Sequence, residues 1–334
     1  MTPRPIPVIV GPTCSGKSDL GLAVARALDG EIINLDSIQV YRGLDVATAK
    51  VPPALRALVP HHLIDVADPA EHYTAGRYAR EATACLADIE ARGRTAVFVG
   101  GTGLYFDALR GRLFAEDDPT DLRLRARLHA IRARRGAPWL HRMLRRLDPA
   151  TAARLQPNDW SRTMRALEFF LCTRTPLSQR QRQLASPPPF VARMRLLVLS
   201  PPRAELYARI NARVEAMVAA GLLDEIRRLL AAGVPPDAEA FQAHGYRRFI
   251  EYLRGERTYA SAVEQMKTDT RHYAKRQLSW WRREPEAHWL AGFGSDPEVQ
   301  RQALELLRAP APVRPGLNWQ VSFPRVHRPP YDAW

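Results

Sequence analysis

The chain predicts an α/β protein, a parallel sheet with an inserted all-α domain, on three observations. Apolar runs alternate with helix-like segments over residues 1–110, a glycine-rich phosphate-loop pattern follows the first run, and an arginine-rich helical block separates these from one later apolar run. Continuous apolar strands separated by helices mark a parallel sheet covered on both faces, whose ligands bind at the carboxyl ends of the strands.

In chain order, "PVIVG" at 7–11 reads as the first strand, followed by a helix over about 15–28. "EIINLD" at 31–36 is the second strand, about 74–92 a helix, and "TAVFVGG" at 95–101 the third strand. From about 114, after "AEDDPTD", an Arg/Leu/Ala helical texture holds for some 80 residues without a strand. "MRLLVLS" at 194–200, introduced by "SPPPF", then returns the chain to the sheet and makes the helical block an insertion. One long helix is expected over 203–232, stopped by Gly233 and two prolines, and another over 258–283. The expected domains are 1–113 and 194–304 for the core, 114–193 for the insertion, and 305–334 for a Pro-rich extended or disordered tail.

The 334 residues are 46% hydrophobic and 25% charged, the balance of a soluble protein, and no apolar stretch is long enough for a bilayer. The start "MTPRPIPVIVGPT" lacks a secretory pattern, so a cytoplasmic location is expected, and a monomer. Cys14, Cys85 and Cys172 lie far apart and form no CxxC pair, so the sequence suggests neither a disulfide framework nor a zinc site. The "HH" at 61–62 has no companion ligand at metal-binding spacing. Charge is uneven: residues 1–120 carry 12 Lys and Arg against 15 Asp and Glu, whereas residues 121–334 carry 37 against 20. Arginine dominates the basic part, and its planar fork suits phosphate contact and base stacking, which points to a polyanionic partner.

Four stretches carry chemistry. "GPTCSGKS", with Gly11, Pro12, Thr13, Cys14, Ser15, Gly16, Lys17 and Ser18, matches GxxxxGK(S/T) between a strand and a helix. Backbone N–H groups and the helix N-terminus would cradle two linked phosphates, Lys17 would reach the far one, and the Ser18 hydroxyl suits Mg²⁺. This makes the expected fold P-loop NTPase-like. Asp36 follows the second strand and is open to three roles: a Mg²⁺ ligand, a general base, or a helix-capping residue without chemistry. The third strand ends in Gly100-Gly101-Thr102, where a typical ATPase places an acidic residue; Thr102 offers a hydroxyl, or the segment is a simple turn. In "KRQLSWWRR" at 275–283 cations alternate with Trp280 and Trp281, a pattern for stacked bases, although one tryptophan of a helical pair is expected in the core. "SRTMR" at 161–165 and "HGYRR" at 244–248 add basic clusters, and Arg209 and Arg213 share a helix face that could reach an anion.

Taken together, "GPTCSGKS", "DSIQVYRGLDVATAK", "PHHLIDV", "VGGTGLYF", "PND", "RALEFF", "GYR" and "AKRQLSWWR" resemble the tRNA dimethylallyltransferase family over about residues 6–291. The resemblance implies a helical domain that grips the tRNA anticodon stem-loop, and transfer of a dimethylallyl group from dimethylallyl diphosphate to N6 of the adenosine just 3′ of the anticodon. It implies that residues 11–18 and Arg213 bind the diphosphate, with Lys17 and Thr102 catalytic beside it. Asp36 would be the base on the adenine amine, with Ser37, Ile38 and Gln39 beside the target nucleotide. Further tRNA contacts are implied for Ser161, Arg162, Thr163, Met164 and Arg165, for Gln242, Ala243, His244, Gly245, Tyr246 and Arg247, and for Lys275, Arg276, Gln277, Leu278, Ser279, Trp280, Trp281 and Arg282. Cys14 stands where alanine is usual and Ser18 where threonine is, both compatible with the cradle; "QPNDWSR" and Gln242 also depart from the family pattern. The competing readings are a P-loop kinase for a small metabolite or nucleotide, against which the basic second half argues, and a non-catalytic RNA-binding protein.

Overall fold

The computed structural model describes residues 4–48, 50–113, 121–182 and 186–309. Strands β1 (Ile6–Val10), β2 (Gly30–Leu35), β3 (His61–His62), β4 (Thr95–Gly100), β5 (Met194–Leu199) and β6 (His288–Leu290) form one sheet in the order β3-β2-β4-β1-β5-β6. Every pairing is parallel. Every residue of β1, β2, β4 and β5 is buried, which is why these strands read as unbroken apolar runs instead of alternating ones. The short edge strands β3 and β6 carry no such signal and were not anticipated.

Helices α1 (Lys17–Ala27), α2 (Pro53–Leu58), α3 (Ala75–Ala91) and α4 (Gly103–Leu109) lie among the first four strands in sequence. Then come α5 (Leu122–Arg135), α6 (Ala137–Leu147), α7 (Pro149–Ala152), α8 (Trp160–Thr173) and α9 (Leu177–Arg182), a stretch that holds no strand among its described residues. After β5 follow α10 (Arg203–Ala219), α11 (Leu222–Ala231), α12 (His244–Leu253) and α13 (Tyr259–Trp281), and α14 (Pro297–Arg308) comes after β6. No helix among the described residues is long and apolar enough to cross a membrane.

Two of the expected boundaries are corrected. The single helix expected over 203–232 is two, because Gly221 takes a left-handed φ of 91° that ends one helix and starts the next. Residues 305–308, expected to belong to the tail, are helical, because α14 continues to Arg308: Asp296 caps it by accepting from Glu298 N, and Val299, Ala303 and Leu307 recur at helical spacing in the core. The expected tail beyond 309 and the start of the insertion at 114–120 lie outside the described residues.

The chain forms two compact units. The first comprises the described parts of Met1–Tyr73, Tyr78–Phe106 and Pro189–Trp334, and contains the whole sheet. Its core joins strand residues Ile9, Val97 and Leu197 to Leu20 and Val24 of α1 and Val299 of α14. The second comprises Thr74–Arg77 and Asp107–Pro188, whereas cuts at 114 and 193 were expected. Leu128, Leu140, Leu144, Met164 and Leu167 from α5, α6 and α8 form its core. Asp148 is buried there and accepts four hydrogen bonds, from Thr151 N (3.0 Å) and Oγ1 (2.7 Å) and from Ser178 N (2.9 Å) and Oγ (2.6 Å).

Burial opposes ionisation of Asp148, but the Ser178 and Thr151 donors outweigh it and hold its carboxyl below the ordinary carboxylate value. Its stabilising contribution is therefore complete above the unfolded value of about 3.9 and disappears as pH falls through the lower folded value. Urea unfolding measured from about pH 6 down to about pH 2 will show wild type losing stability more steeply than Asp148→Asn, the two converging at low pH. Parallel pH dependences would rule out Asp148 as an acid-sensitive group.

Candidate active site

The carboxyl ends of β1, β2 and β4 open into one cleft of about 290 Å³. Gly16 enters α1 at φ 83°, and a Cβ there would lie 2.8 Å from Gly294 N, so both conformation and space demand glycine. Gly294 N in turn donates to Ser15 O at 2.9 Å, which holds the 292–295 segment against the loop. Lys17 Nζ donates to Pro12 O across its own loop at 2.7 Å. Thr13, Cys14, Gly16, Lys17 and Ser18 line the cleft, whereas the buried Gly11, Pro12 and Ser15 do not. The first-turn N–H groups of α1 add a partial positive charge to the cleft.

Burial pushes the Lys17 ammonium down to about 8; Asp36 and Cys14 pull it back up, and Arg213 lowers it further. Arg213 lines the same cleft with Nη1 3.7 Å from Cys14 Sγ. Its helix neighbour Arg209 lies instead over the Phe293 ring at 3.5 Å, so only one of the two arginines faces the candidate anion site.

Opposite the loop, Asp36 Oδ1 accepts from Ile38 N (2.9 Å) and Gln39 N (3.3 Å). The carboxylate therefore caps a turn and lines the cleft at once. Asn34 holds Asp36 from behind: its Oδ1 accepts from Asp36 N at 3.1 Å, and its Nδ2 donates to Asp36 O (3.1 Å) and Leu63 O (2.9 Å). Thr102 Oγ1 accepts from Ser37 N at 3.0 Å and donates to Ser37 Oγ at 3.3 Å. Gln39 Nε2 donates to Thr48 O at 3.1 Å, and buried Lys50 donates to Tyr41 O, Asp45 and Asp65, which closes the segment after β2. At the end of β4 a Cβ on Gly100 would lie 2.1 Å from Leu35 O, so no side chain fits where an ATPase carries its acidic residue. The cleft lining also includes the apolar Leu22, Ile32, Val51, Leu55, Ile64 and Val99, together with the polar Asp19, Thr48, Lys50 and His61.

Several expected RNA contacts prove to be core. Gln277, Leu278 and Trp281 are buried, Trp281 meeting Phe106 edge-on at 5.6 Å, while Lys275, Arg276 and Ser279 on the opposite face of α13 are exposed. Trp280 is half-buried beneath the Arg283 guanidinium at 4.1 Å, and Arg282 is half-buried. A contiguous tract on a helix cannot all face outwards, because 3.6 residues per turn send part of it inwards. Thr163 and Met164 are buried for the same reason, leaving Ser161 and Arg162 exposed and Arg165 half-buried and paired with Glu168 at 3.3 Å. Gly245 and Tyr246 are buried too, the Tyr246 hydroxyl donating to Glu225 at 2.7 Å; Gln242 and Arg247 are exposed and Ala243 is half-buried. The His244 side chain lies outside the described atoms.

Sequence reasoning passed over Asn34, Lys50 and Glu225. The last accepts from Asp45 N and Val46 N at 2.9 Å each, pinning the segment after β2 from α11. Only Asn34 had a local signal, an amide inside an apolar strand. No cluster of three or more His, Cys, Asp or Glu among the described residues could hold a metal. Ser18 and Asp36 in one cleft do fit Mg²⁺ of the kind held mainly by substrate phosphate oxygens and water.

An anion cradle at the first loop of a parallel sheet, a carboxylate facing it, and no room for an acidic side chain after β4 define a phosphate-loop α/β transferase. The chain belongs to the IPP transferase family, whose pattern matches residues 39–284, and an isopentenyl transferase pattern matches residues 5–55. It is 46% identical over 303 residues to a tRNA dimethylallyltransferase of Solibacter usitatus, covering 90% of this chain and 97% of that protein. The homologous tRNA dimethylallyltransferase of Symbiobacterium thermophilum is also 46% identical, over 93% and 97%. Among solved structures, the full-length tRNA isopentenylpyrophosphate transferase of Bacillus halodurans superposes with a TM-score of 0.65 at 36% identity, covering 91% of this chain and 95% of that one. A eukaryotic dimethylallyltransferase described as acting on tRNA gives 0.72 at 28% identity, covering 89% and 75%.

With Lys17 pushed down to about 8, the empty cleft loses its ammonium charge as pH rises through that value, while a bound diphosphate favours the charged form. Calorimetry with inorganic diphosphate will show affinity falling above about pH 8, and Lys17→Met will remove that part of the pH dependence. A wild-type pH profile retained in Lys17→Met would eliminate Lys17 as its source.

Proposed function

We propose that the protein transfers a dimethylallyl group from dimethylallyl diphosphate to N6 of the adenosine immediately 3′ of the anticodon in tRNA, releasing diphosphate. The observation that carries this reading is that Asp36 and the phosphate loop, with Arg213, line one cleft that also presents apolar side chains. The diphosphate occupies the loop, and the five-carbon chain lies against those apolar side chains. The C1–O bond breaks with its electron pair leaving on the diphosphate, where Lys17, Arg213 and the α1 amides stabilise the charge. The adenine N6 forms the new bond to C1 and passes a proton to Asp36, whose Oδ1 is held by the Ile38 and Gln39 amides. Thr102 accepts from Ser37 N and so steadies the residue next to Asp36. Mg²⁺ held by Ser18 and the diphosphate oxygens would supply further neutralisation of the leaving group.

The adenine must leave its stack to enter the cleft, which costs less in a single-stranded loop than in a duplex. The excess of arginine after residue 120 provides the long-range attraction for tRNA phosphates, and the tRNA substrate assigns the reaction to the cytoplasm.

Incubation with unmodified tRNA, Mg²⁺ and dimethylallyl diphosphate, followed by digestion to nucleosides, will show an adenosine heavier by one prenyl group; its absence would refute the reading. Asp36→Asn will retain tRNA binding and lose about 10²- to 10⁴-fold in single-turnover rate. An undiminished rate would remove Asp36 as the base.

A further inference from the structure

Tyr273 and Gln277 lie one turn apart on α13 and share a face. Gln277 is 5% exposed, and both ends of its amide are engaged by main chain from different loops. Its Oε1 accepts from Thr13 N in the phosphate loop at 2.8 Å, and its Nε2 donates to Gly101 O after β4 at 3.1 Å. The two loops follow neighbouring strands, β1 and β4, yet these bonds pass between them through a single side chain. The fit is close: a Cβ on Gly101 would lie 2.1 Å from Gln277 Nε2. Gly101 leads directly into Thr102, whose Oγ1 accepts from Ser37 N at 3.0 Å next to Asp36. One continuous path therefore runs from the anion cradle, through Gln277, Gly101 and Thr102, to the segment that carries the candidate base.

We propose that Gln277 is a positioning residue that sets the separation between the diphosphate cradle and the Thr102–Asp36 side of the cleft. The inference rests on the prenyl-transfer reading and replaces the tRNA contact that the sequence suggested for this residue: the amide is buried and each of its ends is engaged by one of the two loops. Glutamine is required because one group must accept from an N–H and donate to a carbonyl at a fixed spacing. Glutamate has no hydrogen to donate to Gly101 O, and methionine fills the space with neither function. The direction of the Thr13 N–H follows as well, since Gln277 turns it towards α13 and leaves later loop amides for the ligand. Displacement of one reacting partner by a fraction of an ångström is enough to depress a transfer rate without loosening either substrate.

The test uses the full chain with unmodified tRNA and dimethylallyl diphosphate. Wild-type turnover is measured first, so an inactive wild type counts against the transfer reading itself and not against Gln277. With wild type active, Gln277→Met and Gln277→Glu will lower the single-turnover rate at saturating substrates by about 10- to 100-fold, with the tRNA Kd changed by less than about twofold. Gly101→Ala will produce a similar loss by displacing the amide with one methyl group, and it tests the clamp even if the Gln277 variants fail to fold. Gln277→Ala vacates the space that this methyl needs, so the Gly101→Ala/Gln277→Ala double variant will be no slower than Gln277→Ala alone. An unchanged rate in a folded variant, a loss confined to tRNA affinity, or losses that multiply in the double variant would each overturn the assignment.

Discussion

The crowding of backbone at one edge of a parallel sheet is the constraint on which the site depends. Because β1, β2 and β4 run the same way in register, the segments that follow them converge. They can meet only where side chains are absent, and a Cβ on Gly100 would intrude on Leu35 O at 2.1 Å. The same closeness sets amide donors, the Thr102 hydroxyl and the Asp36 carboxylate around one small volume, and it removes the position from which an acidic side chain would serve nucleotide hydrolysis. The departure from ATPase chemistry is thus a packing consequence as much as a substitution.

Electrostatics then divides the cleft. Lys17 gives up solvation to sit inside its own loop, and its proton is retained less strongly for that reason; Asp36 across the cleft partly restores it. An anionic ligand in the loop favours the charged lysine and offsets the cost of its burial. The carboxylate is not free to wander towards the lysine, because the turn amides hold it, Asn34 holds the Asp36 backbone, and Lys50 and Glu225 fix the segment that carries it. Polar side chains at half-buried and buried positions are therefore spent on holding backbone, which leaves few groups to do chemistry and sets those few rigidly.

Helix α13 shows how one element serves two purposes. Its exposed face carries Lys275, Arg276 and Ser279, suited to a polyanion, while its inner face carries Tyr273 and Gln277 against the loops and Trp281 in the core. The basic tract that reads as a single motif is two surfaces separated by the helical period. The second unit follows the same logic on a smaller scale, with Thr163 and Met164 turned into its core beside exposed Ser161 and Arg162.

Residue order alone reveals much of this protein: the buried strands as apolar runs, the phosphate loop by its glycine and lysine spacing, the helical insertion by its arginine-rich texture, and Asp36 and Thr102 by their places at strand ends. Those features are local, and a local pattern survives in one dimension. The short strands β3 and β6, the break at Gly221, the continuation of α14, and the inward turn of Gln277 are not legible in that way. The closures around the site depend on partners distant in the chain: Thr13 and Gly101 for Gln277, Asp45 and Val46 for Glu225, Leu35 for Gly100. Composition can say that a glutamine lies in a basic helix; only the packing of α13 against two loops decides that its amide belongs to the cradle and not to the RNA.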